Sequence, residues 1–197
     1  MPITRRAFVI LGAGASLSAC ASIGVTSVVP AGATSPAQLT QAAILAAVND
    51  ARRLNGNHKP MTYSTRLEAA ARSQANLMAQ KDTLAHNLGV TLRERVTAAG
   101  YEGAVGENIA GGQTTLQQAI EGWLNSPGHR ATLLSDKFTE FGLAWAHTSA
   151  ATKSKYGNYW CFIAGGSFGP WLNGGDPTAA KDSGGGDQLT IGGGVSG

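Results

Sequence analysis

Three short polar segments carry the side chains of this sequence that could do chemistry. They are Ala-His-Asn at 85–87, Gly-Glu-Asn-Ile-Ala at 106–110 and Ser-Pro-Gly-His-Arg at 126–130. Each segment follows or interrupts an apolar, helix-like stretch, and the ends of elements held by a scaffold are common places for working side chains. We expect the fold to gather His86, Glu107 and His129 into one cleft.

Two histidines and a glutamate permit metal chemistry if the fold brings them together. Imidazole is a good ligand for a borderline divalent cation such as zinc, and His86 and His129 are the candidate ligands. A stable zinc site uses three or four protein ligands. Glu107 could be the third ligand, or it could orient a histidine by accepting its other ring proton. With a metal-activated water, Glu107 would be the base of a hydrolase.

A serine hydrolase and a purely structural role are two further hypotheses for these residues. Ser126 lies three positions before His129, and a nucleophile needs a nearby base. However, Ser-Pro-Gly is a turn sequence, and no third orienting acid is evident. In the structural hypothesis His129 satisfies backbone groups at a helix start, His86 stacks in a loop, and Glu107 ties down backbone amides. Because buried polar clusters are often structural, this hypothesis also stays open.

Four motifs follow one another in the second half of the sequence. They are Gly-Glu-Asn-Ile-Ala at 106–110, Trp-Leu-Asn-Ser-Pro-Gly-His-Arg at 123–130, Phe-Thr-Glu-Phe-Gly at 138–142 and Tyr-Trp-Cys-Phe at 159–162. Their order resembles the CAP superfamily, also called the sperm-coating-protein-like domain, in its short bacterial form. The resemblance covers about residues 37–166. It implies an α+β fold, namely an α-β-α sandwich with a small antiparallel sheet between helices.

The family resemblance also implies a set of cleft residues. Family members line a cleft with two histidines and two glutamates, which bind a metal in some members. In this chain the resemblance implies His86 and His129 for the histidines and Glu107 for the first glutamate. The second glutamate would fall three residues after Trp123, where this chain has Ser126. We therefore expect an incomplete cleft of these four residues, with weaker metal binding or none.

The first residues have the pattern of a bacterial export signal. Arg5 and Arg6 precede an apolar run that is too short to span a bilayer as a helix. Leu-Ser-Ala-Cys at 17–20 resembles a lipobox, which implies cleavage before Cys20 and lipid attachment to this residue. Residues 4–8 also resemble a twin-arginine signal, and an ordinary secretory leader fits equally well.

Composition shifts along the chain predict four parts. They are a signal peptide at 1–19, the lipidated Cys20 with a flexible tether at 20–36, the folded domain at 37–172 and a glycine-rich disordered tail at 173–197. Helical periodicity comes first and two strand-like runs come last, which indicates α+β layering. Helix starts are expected at Ser35–Pro36, Thr65–Glu68, Thr91–Glu94 and Thr114 or Thr115.

Charge and cysteine content exclude some classes of partner and cross-link. The formal net charge is +3, but Arg5 and Arg6 belong to the leader, so the remaining chain is close to neutral. No basic stripe with interleaved aromatic residues occurs, so we expect no nucleic-acid partner. The chain has two cysteines, and if Cys20 is acylated then Cys161 has no partner within the chain. We expect Cys161, between two aromatic residues, to fill the core.

The sequence favours a lipid-anchored, extracytoplasmic protein of the bacterial envelope that acts by binding a ligand and not by covalent catalysis. The resemblance allows a lipid or sterol-like molecule, an envelope polymer or a protein as ligand, and membrane contact would come from the lipid on Cys20. This hypothesis requires no cofactor. The alternatives are a metal-dependent envelope hydrolase that uses His86, His129 and Glu107, and a structural envelope protein with a vestigial cleft.

Overall fold

The computed structural model describes residue 36, residues 39–148, residues 153–172 and residues 189–190. The predicted signal peptide at 1–19, Cys20 and nearly all of the tether lie outside the described residues, as does most of the segment 173–197. Within the described part of the chain, no helix combines the length and the apolar character that crossing a bilayer requires.

The described residues form a mixed set of helices and strands. In chain order they are α1 (Gln41–Leu54), β1 (Thr62–Tyr63), α2 (Thr65–Lys81), α3 (Leu92–Ala98), β2 (Ala104–Gly111), α4 (Leu116–Asn125), α5 (Pro127–Leu134), β3 (Glu140–His147), β4 (Asn158–Gly166), α6 (Gly169–Leu172) and β5 (Leu189–Thr190).

The strands form one sheet in the order β1-β3-β4-β2-β5. The three long strands are antiparallel, with Glu107 opposite Ile163 and Gly142 opposite the same residue from the other side. The two-residue strands β1 and β5 run parallel to their neighbours at the sheet's two edges. The prediction of an antiparallel sheet is therefore confirmed for its centre. The aromatic strand β4 is the middle strand and is buried at every residue after Asn158.

Side chains alternate between two faces along each strand, and helices cover both faces. One face, here named the aromatic face, packs against α1, α4 and α5. Its large buried rings are Trp123, Phe138, Phe141, Trp160 and Phe162. The other, here named the charged face, packs against α2 and α3. It combines small and apolar side chains with buried polar groups. Helices on both sides of one sheet make an α-β-α sandwich, which confirms the predicted fold class.

The capping residues of α1 and α2 differ from those that the sequence patterns suggested. Helix α1 begins at Gln41, where the Thr40 side chain accepts from Ala43 N at 3.1 Å, whereas Ser35 of the predicted start lies outside the described residues. Helix α2 begins at Thr65, as predicted, but it is capped by Ser64 and not by Thr65. The backbone of Ser64 is extended, and its N–H donates to Phe141 O at 2.8 Å, so its hydroxyl already faces the first turn.

The other two starts are confirmed as reciprocal capping boxes. In α3 the Thr91 hydroxyl accepts from Glu94 N while the Glu94 side chain accepts from Thr91 N. In α4 Thr115 and Gln118 form the same pair. Each box satisfies backbone donors that a helix start would otherwise leave without partners.

The C-terminal segment contributes one described pair of residues to the sheet. Leu189 and Thr190 form β5, which pairs in parallel with Ala110 and Gly111 of β2. The rest of 173–197 lies outside the described residues, so the disordered tail stays a prediction.

Candidate functional site

Glu107 is the centre of a buried polar cluster on the charged face. It lies in the middle of β2, is 1% exposed, and belongs to a strand whose every residue is buried. Its Oε1 lies 2.8 Å from His86 Nδ1, and its Oε2 lies 2.5 Å from an Arg95 guanidinium nitrogen. Both carboxylate oxygens are thus engaged by other side chains, one by an imidazole and one by a guanidinium.

The loop between α2 and α3 brings His86 to this carboxylate. Side chains from both flanking helices hold the loop by its carbonyl groups. Gln74 Nε2 donates to Ala85 O at 2.5 Å and to His86 O at 3.2 Å, and Arg95 donates to His86 O at 3.2 Å. Arg95 also donates to Val90 O at 2.7 Å. The backbone and the ring of His86 are therefore fixed by separate contacts, and the residue is 9% exposed at the edge of the cluster.

Arg95 supplies the positive charge that balances Glu107. Its side chain is fully buried, as is that of Glu107. Two ions in a low-dielectric interior are stable only with close geometry and further hydrogen bonds, which the carbonyls of His86 and Val90 provide. Removal of one partner from such a pair typically costs about 3–5 kcal/mol, since the other charge stays buried and unpaired.

Cys161 completes the cluster from the neighbouring strand β4. Its Sγ lies 3.4 Å from Glu107 Oε2, and the residue is fully buried. Burial raises the pKa of the Cys161 thiol well above its usual range, and the nearby Glu107 charge raises it further. The thiol therefore stays neutral and is a weak donor to the carboxylate. Its predicted place in the core is confirmed, whereas its contact with Glu107 was not foreseen from the sequence.

His129 also contacts β2, but it does so on the opposite face of the sheet from Glu107. It lies in α5 and is fully buried. Its carbonyl accepts from Asn108 Nδ2 at 2.8 Å. Because Asn108 follows Glu107 in β2, the two side chains point to opposite faces of the sheet. The structure thus joins His86 directly to Glu107, and it holds the backbone of His129 on the aromatic face.

Ser126 occupies the junction between α4 and α5 and is half-buried. It ends α4 by donating its N–H to Trp123 O at 3.3 Å, and its carbonyl accepts the first helical bond of α5 from Arg130 N at 2.8 Å. Its side chain does not cap α5. The backbone contacts of Ser126 therefore mark the boundary between the two helices, as expected for Ser-Pro-Gly.

The fit of a metal ion depends on the charges around Glu107. Among the residues that the structure describes, no three His, Cys, Asp or Glu side chains are grouped so that they could hold a metal. The Arg95 cation lies 2.5 Å from Glu107 Oε2, so a metal ion bound by this carboxylate would be repelled by a second positive charge beside it. The donor set therefore fits a metal poorly at Glu107. Metal binding by His86 and His129 stays a prediction.

Sequence reasoning missed two residues of the cluster, Gln74 and Arg95. Both lie on the buried stripes of their helices. Arg95 shares a face with Leu92 and Val96 in α3, and Gln74 lies among buried residues of α2. A polar or charged residue at an apolar position of a helical stripe needs a buried partner, and this pattern is the signal that could have identified them.

A family comparison matches most of the domain. The model of the family described as "CAP: Cysteine-rich secretory protein family" matches residues 45–163. The chain is 27% identical over 106 residues to the "Uncharacterized protein YkwD" of Bacillus subtilis (strain 168). That alignment covers 52% of this chain and 41% of the relative, so the chain spans less than half of the relative's length.

Two solved structures share the fold. The first is an extracellular protein containing a SCP domain from Bacillus anthracis str. Ames, with a TM-score of 0.54 and 22% identity over 69% of this chain and 45% of that chain. The second is an outer surface protein from Borrelia burgdorferi, with a TM-score of 0.52 and 23% identity over 63% of this chain and 90% of that chain. The family match spans more than half of the sequence and agrees with the α-β-α sandwich, so this chain belongs to the CAP, or cysteine-rich secretory protein, family.

Proposed function

We propose that this protein is an extracytoplasmic binding protein of the bacterial envelope, and that its ligand contacts the loop that carries His86. Two proteins of similar structure are named as an extracellular protein and an outer surface protein, which supports a location outside the cytoplasm. The ligand is a lipid or sterol-like molecule, an envelope polymer or a protein. The lipid on Cys20 anchors the chain to a membrane in this proposal.

The observation that carries the proposal is the double engagement of Glu107. A general base must reach the proton that it removes. The two oxygens of Glu107 accept instead from His86 at 2.8 Å and from Arg95 at 2.5 Å. A carboxylate used in this way orients a histidine, so Glu107 does not fit the role of base that the metal-dependent hydrolase alternative gives it. A histidine held in a fixed position supports recognition of a ligand.

The cost of the buried charges also favours a functional role for the cluster. A well-packed apolar pair of similar volume is often as stable as a buried ion pair. The Arg95–Glu107 pair is therefore poorly explained by stability alone. What it provides is a fixed position for His86, the member of the cluster that is closest to the surface, and binding sites gain affinity from such fixed groups.

Ligand titrations with matched histidine variants test this proposal. The probes are a fluorescent sterol, phospholipid vesicles and soluble peptidoglycan fragments, each added to the chain carrying Cys20→Ser. We expect one probe to bind saturably and His86→Ala to weaken its binding by about tenfold. The control is His58→Ala, because His58 pairs with the half-exposed Asp136 outside the cluster. Equal binding by both variants would overturn the proposal.

A zinc titration distinguishes binding from the metal-dependent hydrolase alternative. Stoichiometric zinc that is lost in the His86→Ala/His129→Ala double variant, together with zinc-dependent hydrolysis of an envelope substrate, would establish the enzyme. Absence of binding to every probe and to zinc would instead favour the structural protein with a vestigial cleft.

The anchor is tested separately. Cys20→Ala should release the protein from membranes, because a lipid on Cys20 is the membrane attachment in this proposal. Sedimentation of the variant with membranes after a carbonate wash would contradict it.

A further inference from the structure

A polar cavity of about 790 Å³ lies away from the His86 cluster, between the C-terminal end of α2 and the end of β3. Its volume is within the range of about 300–1,000 Å³ that is usual for small-ligand sites. We name it the α2–β3 cavity. The lining residues that define it are Asn76, Ala79, Gln80, Asp82, Ala146 and His147.

The lining side chains combine neutral donors and acceptors with a small apolar floor. Asn76 and Gln80 lie on α2, and each amide offers an oxygen acceptor and two N–H donors. Ala79 and Ala146 also line the cavity, and their small apolar side chains, each 8% exposed, are here named the alanine strip. Asp82 and Lys153, which also lines the cavity, have opposite formal charges, so the lining has no formal net charge when His147 is neutral and suits a neutral ligand.

Two walls of the cavity are held in place by contacts behind them. Asp82 accepts from Tyr159 OH at 2.6 Å, from Lys155 N at 3.2 Å and from Ser154 Oγ. The hydrogen bonds from Ser154 and Tyr159 lower the pKa of Asp82, so it remains an acceptor. On the other wall, His147 Nδ1 lies 3.1 Å from Asn158 Oδ1, and its ring stacks on Trp145 at 6.1 Å. Preformed walls reduce the entropic cost of binding.

We propose that the α2–β3 cavity binds a neutral saccharide. Sugar hydroxyl groups both donate and accept, which matches the amides of Asn76 and Gln80, and the C–H face of a sugar ring matches the alanine strip. An apolar lipid would leave these polar groups without partners, which is unfavourable. An N-acetylated sugar adds an acetamido group that pairs with an amide side chain in both directions.

The test uses triacetylchitotriose as the probe and the full chain carrying Cys20→Ser. In ¹⁵N NMR titrations we expect saturable shifts of the Asn76 and Gln80 side-chain amides and of His147. Asn76→Ala/Gln80→Ala should weaken binding by about tenfold. The matched control is Ser73→Ala/Asn125→Ala, which removes exposed polar groups of α2 and α4 outside the cavity and should leave binding unchanged.

Three results would overturn the proposal. They are no saturable shift in the unsubstituted cavity, shifts that centre on His86, and binding by the Asn76→Ala/Gln80→Ala variant equal to that of the control. The shift map of the unsubstituted cavity decides the question even if the double variant fails to fold, which a thermal unfolding curve would reveal.

Discussion

The two faces of the central sheet are packed in different ways. The aromatic face interlocks large rings, with Phe141 stacked on Phe162 at 5.5 Å and Trp123 tilted against Phe162 at 5.8 Å. On the charged face, α2 approaches β3 so closely that a Cβ on Gly142 would collide with the backbone of Leu67 and Glu68. The aromatic face gains its stability from buried area, whereas the charged face accommodates a carboxylate, a guanidinium and a thiol in a tight space.

Each face contains a buried arginine, and the two arginines have different kinds of partner. Arg52, on the side of α1, donates to the carbonyls of Lys59, Leu133 and Ser135 and pairs with the half-exposed Asp136. Its role is to join chain segments. Arg95 instead pairs with a fully buried acid that also contacts His86. Buried charge on the charged face therefore serves the candidate site.

Substitution of Arg95 should give one of the two largest losses of stability. Arg95→Met leaves the charge of Glu107 in the interior without its arginine partner, which should lower the free energy of unfolding by about 3–5 kcal/mol. Adding Glu107→Leu should restore most of this loss in urea unfolding, because the double variant contains neither charge. On the other face, adding Asp136→Asn to Arg52→Met should restore little, since Asp136 is half-exposed. Equal rescue in both pairs would contradict the comparison.

On the aromatic face, Trp123→Ala should lower the free energy of unfolding by a similar amount. The indole is fully buried and donates to Ile109 O at 3.2 Å, so its removal leaves a large cavity and a carbonyl without this partner. We expect a loss of about 3–5 kcal/mol in urea unfolding. Trp145→Ala is the control, because Trp145 is only partly buried and should cost less. A loss below about 1 kcal/mol for Trp123→Ala would mean that α4 is misplaced.

Removal of the N-cap hydroxyl of α3 or α4 should lower the stability less, and its effect should be more local. Thr91→Ala and Thr115→Ala should each cost about 1 kcal/mol, the usual value for a lost N-cap. Only Thr91→Ala should speed hydrogen exchange in the loop of His86, since α3 carries Arg95, which holds that loop. Faster exchange in that loop from Thr115→Ala as well would show that the two faces are coupled.

The smallest effect is expected when the folded protein is treated with a thiol reagent. In the chain carrying Cys20→Ser, Cys161 should stay unlabelled by Ellman's reagent at pH 8 and should react once the protein is unfolded in urea. Burial and the Glu107 charge raise the thiol pKa, so little thiolate forms, and the reagent has no access to the sulfur. Labelling of the folded protein at the rate of the unfolded one would mean that the charged face opens readily.

Much of the fold could be predicted from local patterns. The two strand-like runs that the sequence predicts after the helices are β3 and β4, and Phe141, Leu143 and Trp145 of β3 pack on the aromatic face. The capping box at Thr91 was visible as a sequence spacing, and the start of α4 was predicted at Thr114 or Thr115. The caps of α1 and α2 were not predicted, because Thr40 and Ser64 are selected by backbone geometry and strand pairing that single-residue signals do not include.

The candidate site was harder to predict because its partners are distant in sequence. The sequence predicts one cleft of His86, Glu107 and His129. The structure shows a contact between His86 and Glu107, whereas the backbone of His129 is bound to Asn108 on the opposite face of the sheet. The alternation of Glu107 and Asn108 within one strand sends their side chains to opposite faces, which the motif alone does not show. Arg95 and Gln74 were missed because they carry no motif and their partners are set by the packing of α2 and α3 on the sheet.

The most direct test of the central claim is the state of the His86 ring in solution. In ¹⁵N-histidine-labelled protein, a His86 Nδ1 proton donated to Glu107 should give a strongly downfield, slowly exchanging resonance that is lost in Glu107→Gln and weakened in Arg95→Met. That result would establish that Arg95 and Glu107 hold the His86 ring in one orientation. A His86 ring that averages between orientations and is unchanged in Glu107→Gln would contradict the account.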